Sequence, residues 1–156
     1  MTENYLLPYK FKKIGIWLFF PFLALSLWVL LSGELEFDYL QWPSLAFLYN
    51  GFDEGLKLFS VHITDPINEF AMFGLLLSMC LIGLSKEKDE DEMTSLIRAR
   101  SFVWSFWVTA GILAFGIIFI YGTAFMEFSF AAIFLIFLVY IIKFNVSMHA
   151  LRRSGK

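Results

Sequence analysis

Few residues in this chain have the type or spacing to do chemistry. Two carboxylates, Glu69 and Glu127, stand at the edges of long uncharged runs. A carboxylate inside a membrane is costly and marks an ion or proton route. One at the interface is reached by water and headgroups, and serves as a helix-terminal or hydrogen-bonding group. Both readings stay open for this pair. The other concentration of charge is Ser85–Arg100, with five acids and four bases in 16 residues. Within it Lys86, Glu87, Lys88, Glu90, Glu92 and Arg98 form a candidate partner-docking surface. The competing reading is a solvated helical extension whose basic residues fix topology. His62 and His149 lack metal-ligand spacing, and the single Cys80 excludes an intrachain disulfide or a cysteine metal site. No Ser/His/Asp or Cys/His set, phosphate loop, HExxH or Asp-rich motif occurs. Haem would want histidines inside the apolar runs, and both lie outside them. The sequence therefore predicts no catalytic residue, metal ligand or cofactor, and no enzyme.

The elements that must position these residues are legible from composition. Of 156 residues, 59% are apolar, 20% aromatic and 17% charged, against about 45–50% apolar and about 25% charged in a soluble domain. The mean hydropathy is +0.70. Too little polar surface exists to cover a soluble core, which excludes disorder, a coiled coil and a solvated globule. A net charge of −2 gives no basic field for nucleic acid. A lipid bilayer is the implied solvent. Crossing it takes about 20 apolar residues, and four segments qualify: 14–32, 66–84, 101–121 and 124–144. The predicted fold is all-α, a four-helix transmembrane bundle forming a single domain. Tyr121-Gly122-Thr123 reads as a tight turn between the last two spans.

Orientation follows from the basic residues. Lys10, Lys12 and Lys13 precede the first span; Lys86, Lys88, Arg98 and Arg100 lie between the second and third; Lys143, Arg152, Arg153 and Lys156 follow the fourth. Eleven of the 12 basic residues thus fall on one side, and the positive-inside rule predicts both termini cytoplasmic. A cleaved signal peptide is the competing reading of the N-terminus, but its apolar core would be about 7–15 residues. The uncharged run from Ile14 to Gly33 is 20 residues long, so the first span reads as an anchor.

Two connections flank these spans. The outer segment, 34–65, is rich in aromatic and aliphatic residues and reads as a short cap. Leu35–Leu40 alternates as a strand does, Asn50-Gly51 is a turn signal, and Tyr39, Trp42 and Tyr49 suit a membrane interface. The cap is either an interfacial cover or a binding surface for a partner or apolar ligand. The inner connection, 85–100, places Met93, Leu96, Ile97 and Arg100 at helical spacing. It predicts a helix from near Lys88 running into the third span as a cytoplasmic extension. Inside the spans, Ser101, Ser105 and Thr109 share one face, and Gly74/Ser78 and Ala110/Ala114 are small pairs suited to close helix packing. Pro21 is a candidate kink.

The run SKEKDEDEMTSLIRARS after the second span resembles the S-K-E-K-x-x-D-E-x-x-x-x-x-R-x-x-S signature of uncharacterised small four-span membrane proteins of Bacteroidota. Ile63-Thr64-Asp65-Pro66 and the opening Phe11-Lys12-Lys13-Ile14-Gly15 with Pro21 are also similar. The likeness covers most of the chain. Pro66 stands where the pattern has glutamate after Thr-Asp, so no role for that acidic pair carries over. The resemblance implies a bacterial inner-membrane location and no particular activity. Two functions follow as expectations. One is a non-enzymatic accessory or regulatory protein that meets a membrane or cytoplasmic protein through the charged motif and the outer cap. The other is a small transporter or channel, as a homo-oligomer, using Glu69 and Glu127.

Overall fold

The computed structural model describes residues 6–32, 42–51, 55–64, 66–88 and 90–154. In chain order the elements are helix α1 (Tyr9–Ser32), strands β1 (Trp42–Gly51) and β2 (Gly55–Thr64), and helices α2 (Ile67–Gly83), α3 (Glu92–Phe119) and α4 (Thr123–Ser154). The chain is mostly helical. Three helices, α1, α3 and α4, are long and apolar enough to cross a membrane, and α2 is a shorter apolar helix of 17 residues.

The predicted spans correspond to these four helices, with shifted ends. α1 begins earlier, at Tyr9, and carries Pro21 inside an uninterrupted helix. α4 continues ten residues beyond the predicted end, to Ser154, and closes on Arg152 and Arg153, where cations suit the helix dipole. The turn between α3 and α4 falls where predicted. Gly122 there has φ 73°, a left-handed conformation that glycine adopts without a Cβ clash.

The helix expected from Lys88 instead begins at Glu92. Asp91 is its N-cap, in extended conformation, and its carboxylate accepts from the Thr94 amide at 2.7 Å. That bond satisfies one of the amide donors left free at a helix start. Residues 86–88 run as irregular backbone, with the Lys86 amide on the Leu7 carbonyl at 2.8 Å and the Glu87 amide on the Glu90 carboxylate at 2.8 Å.

The outer segment also departs from an all-helical reading. β1 and β2 pair as an antiparallel hairpin, from Trp42 opposite Thr64 to Gly51 opposite Gly55. The expected turn at Asn50-Gly51 is where β1 ends, and apolar β-branched and aromatic residues supply the strands. The strand expected over Leu35–Leu40 lies outside the described residues.

The chain forms two compact units, Met1–Phe19 with Leu76–Lys156, and Phe20–Leu75. In the first, α3 packs on α4. Its buried positions include Ser78, Ser101, Ser105 and Thr109, while Trp107, Phe115 and Ile118 are exposed. Small polar residues inside and large apolar ones outside is the pattern of helices packed in lipid, not in water. The predicted Ser101/Ser105/Thr109 face is therefore a packing face. Gly116 lies against the Phe128 ring, where a Cβ would collide. In the second unit, Gly74 of α2 takes the ring of Phe22 from α1 at similar range, Phe22 meets Phe70 edge-on with centroids 5.4 Å apart, and Ser26 Oγ donates to the Ala71 carbonyl at 3.4 Å.

Candidate functional site

The charged motif folds into a cluster at one end of the first unit. It begins with a helix-end problem. α2 stops at Gly83, and the carbonyls of its last turn have no helical donors. The Ser85 hydroxyl donates to the Leu81 carbonyl, and side chains of α3 and α4 serve Gly83 and the residues just after it. Tyr140 Oη of α4 donates to the Gly83 carbonyl at 3.0 Å. Arg98 Nη1 of α3 donates to the carbonyls of Gly83 and Ser85, at 3.2 and 3.1 Å. The chain N-terminal to α1 adds backbone pairing, with Leu7 N on the Leu84 carbonyl at 2.9 Å and Lys86 N on the Leu7 carbonyl at 2.8 Å.

Arg98 is the hub. Its Nη2 meets both carboxylate oxygens of Glu90 at 3.0 Å, and its guanidinium lies 4.9 Å from the centre of the Phe144 ring. A planar cation that stacks and forks is what arginine supplies and lysine does not. Glu90 Oε2 in turn accepts from the Glu87 amide at 2.8 Å. Beneath them Tyr140, Phe144 and Met148, spaced by four along α4, form a buried apolar cluster with Ile97 and Ile141 against it.

Glu87 is the second centre. It is 8% exposed. Lys12 Nζ of α1 closes an ion pair on its Oε1, and Arg152 Nη2 of α4 stands 3.8 Å from its Oε2. A buried carboxylate is tolerable when its charge is matched in this way. Asp91, outside the apolar segments, is held below the usual carboxylate range by hydrogen bonds from the hydroxyl and the amide of Thr94.

The structure thus sorts the six candidate docking residues. Glu87, Glu90 and Arg98 are tied into contacts within the chain, so their charge is committed to the fold. Lys88 and Glu92 are exposed, and Lys86 is half-buried. The edge carboxylates are not part of this cluster. Glu69 sits exposed in the first turn of α2, where the helix dipole favours an acid, and Glu127 is exposed on α4. His149 is exposed and Cys80 half-buried; the side chain of His62 lies outside the described set. Among the described residues no group of three or more His, Cys, Asp or Glu is placed to hold a metal ion.

Sequence reasoning missed Lys12, Tyr140, Phe144 and Arg152 as partners of the motif. The 140/144/148 stripe was visible at helical spacing, but its pairing with residues 83–98 is long-range and leaves no local signal.

A second candidate surface is the hairpin. Leu45, Phe47, Phe59 and Val61 are 63–71% exposed. Leu45 is opposite Val61, and the Phe47 and Phe59 rings meet edge-on with centroids 4.6 Å apart. Phe59 has φ 53°, a left-handed conformation rare for an aromatic residue and costing of order 1–3 kcal/mol.

Comparison with known proteins finds no matching family model, and no curated protein or solved structure that the chain resembles.

Proposed function

We propose that this protein is a four-span membrane accessory protein, without catalytic apparatus, that engages another membrane protein through its hairpin. The support for four spans is the meeting of Lys12, Glu87 and Arg152. Residues that touch lie on one side of a bilayer. From Lys12 to Glu87 the chain passes through α1 and α2, so it leaves and returns. From Glu87 to Arg152 it does the same through α3 and α4. At a rise of 1.5 Å per residue, the 17 residues of α2 reach about 26 Å, near the lower limit of a spanning helix. By the order of the spans in the sequence, eleven of the 12 basic residues belong to the connections and ends on this side, and the positive-inside rule makes it the cytoplasmic face of a bacterial inner membrane.

The observation that carries the function is the exposed apolar face of Leu45, Phe47, Phe59 and Val61, with a strained Phe59 in its middle. A lone two-stranded hairpin is marginally stable in water, and an apolar patch on it gains from being covered. Backbone strain retained within a patch is common at recognition surfaces. The charged motif then serves to hold the cytoplasmic helix ends together, leaving Lys88 and Glu92 facing outward.

A photoreactive amino acid at Phe47, activated in intact membranes, tests this. The expected product is one discrete protein adduct heavier than the 18.1 kDa chain, lost when Val61 is changed to Glu. Adducts to lipid alone, with no discrete protein band, would contradict the reading.

A further inference from the structure

Beside the buried Glu87 a cleft of about 460 Å³ opens between α1 and α4, and a contiguous one of about 420 Å³ extends it along α1. Both are lined by Lys12, Glu87, Asn145 and Arg152; the extension adds Lys13 and Lys88. Four cations face one carboxylate, which Lys12 pairs and Arg152 approaches at 3.8 Å. The net positive charge left over is presented by Lys13, Lys88 and Arg152, all exposed at the rim. Such a concentration of positive charge on a concave surface attracts a compact, multiply oxygenated anion, of which a phosphate group is the natural fit.

The surroundings choose between a free phosphate and a lipid-borne one. The walls of the cleft continue into apolar surface: Ile16 and Val146 line it and are exposed, and Ile142 lies one helical turn before Val146. A soluble phosphate gains nothing from these residues. Acyl chains attached to a phosphodiester would lie along them. Basic pockets between helices at a cytoplasmic membrane face have the geometry for anionic headgroups. We propose that this cleft binds the headgroup phosphate of an anionic phospholipid, with Lys13, Lys88 and Arg152 as its cationic contacts. The inference rests on the membrane placement of the charged end.

The test uses purified full-length protein in a neutral detergent, titrated with phosphatidylglycerol, phosphatidylcholine or inorganic phosphate, with bound lipid counted by native mass spectrometry. Phosphatidylglycerol should bind saturably and phosphatidylcholine at least tenfold more weakly. Millimolar inorganic phosphate should not displace the lipid. The double variant Lys13→Gln/Lys88→Gln leaves the Lys12–Glu87 pair intact. At about fivefold per lysine, its affinity for phosphatidylglycerol should fall about 25-fold. Equal binding of the two lipids, unchanged affinity in the variant, or displacement by inorganic phosphate would overturn the assignment. Because these assays read binding in micelles, their failure would leave hairpin cross-linking and membrane sidedness as separate questions.

Discussion

Lys12 of α1 closes an ion pair on Glu87, 75 residues later in the chain. The pair ties the beginning of the first helix to the link between the second and third, and Arg152 brings the end of the fourth to the same carboxylate. A charged motif that reads in the sequence as a docking surface or a solvated helical extension is in this way the joint of the charged end.

Replacing Glu87 with Gln removes the acid and leaves Lys12 partly buried without a counter-ion. Breaking such a pair costs about 3–5 kcal/mol when burial is complete. Lys12 can extend its ammonium toward water, which places the expected loss at about 3 kcal/mol. Thermal unfolding in detergent measures it. Lys12→Met together with Glu87→Met should lose less than Glu87→Gln alone, since no charge is stranded.

Arg98→Lys keeps the charge and loses the fork. One ammonium cannot serve the Gly83 and Ser85 carbonyls and the Glu90 carboxylate while stacking on Phe144. The expected destabilisation is about 2 kcal/mol, from charged hydrogen bonds contributing about 1.5–3 kcal/mol each. Glu90→Gln should be strongly non-additive with it, because the two share a contact.

Asp91 gives a pH signature. Its folded-state pKa lies below its ordinary value because Thr94 donates to its ionised form. Its contribution is therefore fully present above the unfolded-state pKa, about 3.9, and is lost as pH falls through the folded value. Asp91→Ala should have a lower Tm than wild type at pH 7, and the gap should close in the acid range below pH about 4. A gap independent of pH would show that charge at this cap is immaterial.

Much of this arrangement is legible in the sequence. The spacing of charges marks the four helices, Gly122 marks the turn that needs a left-handed residue, and Ser101, Ser105 and Thr109 mark a packing face. The sequence misplaces the helix start at Lys88, because several acids in a row offer capping side chains and only the Asp91 carboxylate meets the Thr94 amide. What local patterns do not carry is pairing between distant segments. Nothing around Glu87 announces Lys12 or Arg152, and nothing around Arg98 announces Tyr140 or Phe144. Strand periodicity was obscured over β1 and β2 because apolar residues fall on both faces of the hairpin.

Glu69 and Glu127 separate an accessory role from transport. Both are exposed, and exposed substitutions usually change stability by less than about 0.5 kcal/mol. Glu69→Gln and Glu127→Gln should each have small effects that add in the double variant. A strongly non-additive double variant would reveal a shared proton or cation and favour a channel.

The arrangement of four spans with both ends on the cytoplasmic face is tested most directly by cysteine accessibility in intact cells. With Cys80 changed to Ser, single cysteines are placed as Glu3→Cys, Ser154→Cys and Glu54→Cys, and an impermeant thiol reagent is applied before and after lysis. Four spans predict labelling of position 54 before lysis, and of positions 3 and 154 only after it. Labelling of position 3 or 154 in unbroken cells would contradict the arrangement.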